Sequence, residues 1–221
     1  MKKQVTSGMP SSQLYREAGR CSRLKLDYQT MSFGKKGKRI TITHLRKPIQ
    51  YGLAGMASSK LFRQNIPLVV DDHANDSFDY DFACLAYSPD VDAVRILMDE
   101  NIFYGIKRGE AMSRTILFHE LGHYHHRHMR SSREEAEAYD AKRMQMVSEG
   151  KVIRNELDAD AFAAEYLGNT LAADGLADLK TALIRHIEGG FYDEESGKAS
   201  VRELELRIAV LRRGIAKEGL D

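Results

Sequence analysis

The stretch His119-Glu120-Leu121-Gly122-His123 constrains this chain more than any other. On an α-helix, residues four apart share a face, with a rise of about 6 Å between them. A helix through this stretch aims a ring nitrogen of His119 and one of His123 at a single point. Those are two of the three protein ligands of a catalytic zinc, which keeps a position open for water. Glu120 flanks the point without reaching the metal, the place of a general base that takes a proton from a zinc-bound water. Leu117, Leu121 and Tyr124 form an i, i+4, i+7 stripe facing the core. Ile116, His119, Glu120 and His123 form a neighbouring stripe that lines a cleft. Gly122 costs about 1 kcal/mol inside a helix, so the spacing predicts a close approach by another backbone.

The third ligand separates two zinc-peptidase patterns. One needs Gly seven and His ten residues after the first His; His126 and Met129 stand there, and the pattern fails. The other takes a Glu from a later helix, and Asn155-Glu156-Leu-Asp-Ala-Asp160-Ala-Phe-Ala-Ala-Glu165 supplies one. Glu156 is the expected ligand, with Glu165 and Asp158 as the other acids there. Asp160, four residues on, is placed to accept a hydrogen bond from the free ring N–H of a ligand histidine. Ala159, Ala163 and Ala164 are small enough for this helix to approach another closely.

Phe-His-Glu-Leu-Gly-His at 118–123, followed by Glu-Leu-Asp-Ala-Asp-Ala-Phe-Ala-Ala-Glu-Tyr-Leu-Gly at 156–168, resembles the gluzincin metallopeptidases. The likeness is to the catalytic domains of the HtpX and CAAX-prenyl-protease group, whose second motif reads E-x-x-A-D. ImmA/IrrE peptidases are the near alternative. Arg207-Ile208-Ala-Val-Leu211 is similar to the R-I-x-x-L that closes the first group's domain, although the His-Pro that often precedes it is replaced by Ala199-Ser200-Val201. The resemblance covers about residues 67–213. Strands followed by helices along the chain already point to an α+β fold, and the resemblance implies that it is zincin-like, a small N-terminal mixed sheet preceding a helical half that carries the zinc helix and the Glu-ligand helix. The resemblance also implies one Zn2+ per chain and an edge strand that binds extended substrate. The region Phe82–Met98 is the candidate for that strand.

Charge is unevenly placed. Residues 1–66 hold 14 Lys and Arg against 2 Asp and Glu, leaving 19 against 30 in residues 67–221. We therefore divide the chain into a basic segment, 1–66, and a metallopeptidase domain, 67–221. Residues 1–10 are expected to be disordered and the remainder of the segment to pack on the domain. No run approaches the ~20 apolar residues of a membrane helix, and no secretory leader is legible. Cys21 and Cys84 suit a reducing compartment, so a cytoplasmic protein without membrane partners is expected.

In chain order, the pattern predicts a short helix after Ser11 or Ser12, a basic loop at 33–38, and a strand at 39–43. It then predicts a helix over 53–62, a strand at 66–70, an acidic loop at 71–81, and strands at 82–87 and 93–98. Residues 102–106 form a strand or lead into the motif helix, which runs from about 109 to 128. Helices follow at 130–149, 156–167, 171–187 and 201–216, with a loop through Gly197. His125, His126 and His128 read as surface or cleft-rim residues.

Two functions compete. The first is a zinc-dependent endopeptidase acting on protein or peptide, with metal ligands His119, His123 and Glu156, Glu120 as base, and Tyr104, Tyr166 or Tyr192 as the oxyanion helper. The second is a non-catalytic or regulatory zinc protein whose basic segment recruits an acidic protein or, less favoured, nucleic acid. An intact Glu120 favours the first, because a closed structural site needs no base.

Overall fold

The computed structural model describes residues 28–34, 39–45, 53–58, 66–71, 83–88, 93–128, 133–191 and 193–218. The fold is α+β, and the chain divides into two compact units, residues 1–104 and 105–221. The helix expected after Ser11, the basic loop at 33–38, the acidic loop after Asp71, and Tyr192 fall largely or wholly outside the described residues.

The first unit holds a six-stranded mixed sheet: β1 (Tyr28–Phe33), β2 (Ile40–Leu45), β3 (Leu53–Ser58), β4 (Ile66–Asp71), β5 (Ala83–Ser88) and β6 (Ala93–Asp99). Their order across the sheet is β1-β2-β3-β4-β6-β5. β1 to β4 form an antiparallel meander, β4 pairs with β6 in parallel, and β5 returns antiparallel on the outside of β6. Ile40 and Ile42, Ile66 and Leu68, and Ile96 and Met98 are buried at two-residue spacing, as a sheet with one covered face requires. Leu68 and Leu85 both stand opposite Ile96 in the ladder. The basic stretch 1–66 thus contributes β1, β2 and β3 to the same sheet as β4 to β6. Within 82–98, β5 is the edge strand and β6 is internal.

Over 53–58, β3 corrects the helix expected over 53–62, whose remainder lies outside the described residues. Leu53, Met56, Ala57, Lys60 and Leu61 would share one side of a helix, but the backbone of 53–58 is hydrogen-bonded by β2 on one side and β4 on the other. Pairing on both edges overrides a weak local preference. Asp99 ends β6, and its Oδ1 accepts the Asn101 N–H at 2.7 Å, capping helix α1 (Glu100–Arg108). The alternatives left open for 102–106 resolve as helix: Ile102, Phe103 and Ile106 are buried at helical spacing.

The second unit is helical: α2 (Ala111–His125), α3 (Arg133–Ser148), α4 (Arg154–Leu167), α5 (Asn169–Glu188) and α6 (Glu194–Glu218). α2 packs on both α4 and α5, and α5 packs along α6. Ala172, Ala173, Leu176 and Leu183 of α5 join Leu204, Ile208 and Leu211 of α6 in one apolar cluster. α6 begins earlier than expected: Gly197 is a buried helical residue, not part of a loop. α3 is charged and largely exposed, with Val147 buried near its end. Among the described residues, no helix is long and apolar enough to cross a membrane.

Two glycines set how closely α2 is held. A Cβ on Gly122 would stand 2.8 Å from Ala159 Cα and 2.9 Å from its carbonyl oxygen, so α2 and α4 touch backbone to backbone there. A Cβ on Gly175 of α5 would stand 2.6 Å from the Ala111 carbonyl oxygen. The helical cost of Gly122 is therefore matched by an approach that no other residue permits.

Candidate metal centre

His119 and His123 lie on α2, and Glu156 lies in the first turn of α4. The Gly122–Ala159 contact draws the two helices together between these positions. One ligand atom from each of the three residues lies within 4.8 Å of the others. His119 Nε2 is 3.0 Å from His123 Nε2 and 3.1 Å from Glu156 Oε2, and His123 Nε2 is 3.6 Å from Glu156 Oε1. Atoms coordinated tetrahedrally at 2.0–2.1 Å stand about 3.3 Å apart. The observed spacings bracket that value, so the three residues fit one ion. The set could hold a metal ion; nitrogen and oxygen donors of this kind suit several divalent metals.

Other groups fix the ligands. His119 Nδ1 lies 2.9 Å from Asp160 Oδ1. Arg207, on α6, donates to both oxygens of Asp160, from Nε at 2.8 Å and Nη2 at 2.7 Å. Its Nη1 lies 3.3 Å from Glu156 Oε2. With a proton on Nδ1, His119 and Arg207 both donate to Asp160, and His119 Nε2 is turned toward His123 and Glu156. Tyr139, on α3, donates its hydroxyl to Glu156 Oε1 at 2.8 Å. One turn further along α3, Arg143 pairs with the buried Glu203 of α6, its Nε at 2.8 Å. Each oxygen of Glu156 is thus held from a different helix.

The electrostatics follow from burial and these partners. Burial and the Arg207 charge push His119 down, but Asp160 and Glu156 outweigh them and lift its pKa to about 9. Burial, reinforced by the charge on His119, drives His123 down to about 3. Burial alone would raise Glu156; its hydrogen bond to His119 and the charges of His119 and Arg207 hold it well below the ordinary carboxylate range. Asp160 is likewise lowered, because Arg207 reverses the effect of its burial. One proton on His119 therefore sits among carboxylates where a cation fits, and a metal entering the site has to displace it.

The residues expected from sequence are distributed as follows. His119, His123 and Glu156 come together. Glu120 is buried on α2 between the two histidines in sequence, and it is not one of the three converging groups. Asp158 pairs with Arg154 at 2.7 Å, and Glu165 is exposed. Tyr166 stacks on Phe118 and lies tilted against Phe162, while Tyr104 packs edge-on against Phe103. The tyrosine on the triad is Tyr139, which the sequence reading did not single out. It also gave Arg207 no role, although a signal existed: an arginine in the otherwise apolar stripe Leu204, Ile208, Leu211 is a buried charge that needs a partner.

Fold and site define an α+β protein with a largely buried His-His-Glu cluster that could hold a metal ion. Comparison with family models, with curated proteins and with solved structures returns no match to this chain.

Proposed function

We propose that this protein is a zinc-dependent endopeptidase of the gluzincin kind, in which His119, His123 and Glu156 hold the metal and Glu120 is the general base. The observation that carries the reading is the convergence of the three ligand atoms, with the Glu120 carboxylate on the turn of α2 that joins the two histidines. A bound zinc supplies Lewis-acid polarisation of a peptide carbonyl and makes water more acidic. Glu120 takes a proton from the attacking water and returns it to the departing amine. Asp160 and Arg207 hold the His119 ring, and Tyr139 and Arg207 hold the Glu156 carboxylate, so the ligands need little rearrangement. The motifs at 118–123 and 156–168 support a place near the HtpX and CAAX-prenyl-protease group, with ImmA/IrrE-like peptidases as the alternative. The two cysteines fit a reducing, cytoplasmic setting.

The test incubates wild-type protein and Glu120→Gln with a host proteome, with and without chelator, and maps new peptide termini. Chelator-sensitive cleavage by wild type and its loss by about 10²–10⁴-fold in the variant are expected. Glu120→Gln should keep its metal. Undiminished cleavage by that variant refutes the proposed base.

A further inference from the structure

The end of α2 contains a contact that the proposed chemistry does not use. Arg127 has φ 60°, the left-handed region that a non-glycine residue rarely enters. It sits in a helix-terminating turn in which the His128 N–H bonds the His123 carbonyl at 2.9 Å and the Arg127 N–H bonds the Tyr124 carbonyl at 3.2 Å. This pairing normally brings the second residue past the helix back over its last turn, where the two make an apolar contact. Here those two residues are both histidines. His123 Nδ1 lies 3.1 Å from His128 Nδ1, with ring centroids 5.3 Å apart.

We infer that His128 is a positioning residue for the ligand His123, doing with an imidazole what Asp160 does for His119 with a carboxylate. The chemistry allows one arrangement. His123 presents Nε2 toward the triad, so its proton lies on Nδ1. That N–H donates to the unprotonated Nδ1 of His128, whose own proton is then on Nε2. The bond fixes the His123 tautomer and ring angle. The strained turn at Arg127 gains a purpose, since it directs the His128 ring back onto a ligand. Sequence alone places His128 beyond the metal face, because a continued helix would carry it there; the reversed turn brings it back.

This inference rests on the metal reading, and the experiment separates the two. Wild type, His128→Phe and His128→Gln are purified without metal and titrated with Co2+ and Zn2+ against a chromophoric chelator. The visible spectrum of the Co2+ form is recorded. Phenylalanine keeps a ring of similar shape without an acceptor; the glutamine carbonyl can accept the His123 proton. His128→Phe is expected to lose affinity by about 10–100-fold and to shift the cobalt absorption band. His128→Gln is expected to recover most of both. A wild type that binds neither metal overturns the metal reading and this inference with it. Wild-type affinity and spectrum in His128→Phe, or equal losses in both variants, overturn the role of His128 and leave the metal reading standing.

Discussion

Gly122→Ala tests whether close helix contact, rather than ligand identity alone, makes the site. The added Cβ would meet Ala159 Cα at 2.8 Å, whereas carbon atoms pack best at about 3.5–4.0 Å. α2 and α4 must therefore part by roughly 0.7–1.2 Å. Overpacking of this kind costs about 1–3 kcal/mol, and replacing a helical glycine by alanine returns about 1 kcal/mol. The net loss of stability is about 0–2 kcal/mol, so the variant should fold. The metal site is less tolerant, because its ligands are divided between the separated helices and metal–ligand distances hold to about 0.2 Å. We expect metal affinity to fall at least about tenfold, or 1.4 kcal/mol. Chelator competition measures the affinity, and urea unfolding of the metal-free protein measures the stability. Gly214→Ala is the control: its Cβ would meet nothing closer than 3.5 Å. It should stabilise by about 0.5–1 kcal/mol and leave metal binding unchanged. Wild-type metal affinity in Gly122→Ala would refute the argument.

Tyr139→Phe removes the hydroxyl on Glu156 Oε1, a hydrogen bond to a charged group that is usually worth about 1.5–3 kcal/mol. The same chelator competition should show weaker metal binding with little change in helix content by circular dichroism. Arg207→Met leaves Asp160 and Glu156 buried beside an apolar chain, and breaking a buried pair from one side costs about 3–5 kcal/mol. Urea unfolding of metal-free protein reads that loss, and a shift below 1 kcal/mol would show the pair to be dispensable. Glu156→Gln should keep the fold and weaken zinc binding strongly, since a neutral amide is a poorer ligand; elemental analysis showing full occupancy would remove Glu156 from the ligand set.

The parts legible in sequence were those set by local spacing. His119 and His123 share a face because they are four apart, and Glu156 stood out in a helix of small residues. The alanines also announced a close crossing, which Gly122 and Ala159 make. Strands were readable at Ile40, Ile66 and Ile96, but not at β1, which was not expected, nor at β3, whose identity comes from neighbours on both sides. What escaped were pairings between distant segments. Tyr139 meets Glu156, and Arg207 meets Asp160, through the packing of helices that no local pattern encodes. His128 escaped for another reason: a non-glycine residue at positive φ turned the chain where continued helix was expected.

The position of Arg207 has a consequence for how the protein is made. It lies in the last described helix, 47 residues after the Asp160 it pairs with and 88 after His119. Synthesis proceeds at about 5–20 residues per second, so the interval between Asp160 and Arg207 is roughly 2–10 s. During that time Asp160 and Glu156 have no guanidinium, with His119 beside both, and burying two carboxylates so incompletely paired is unfavourable. Docking of α6 therefore completes the pairing that holds the three residues in place. A chain stopped before residue 207 carries His119, His123 and Glu156, yet lacks the guanidinium that pairs with Asp160 and Glu156 in the folded protein. The capacity to hold a metal would then come with the docking of α6 and not with the emergence of the three converging side chains themselves.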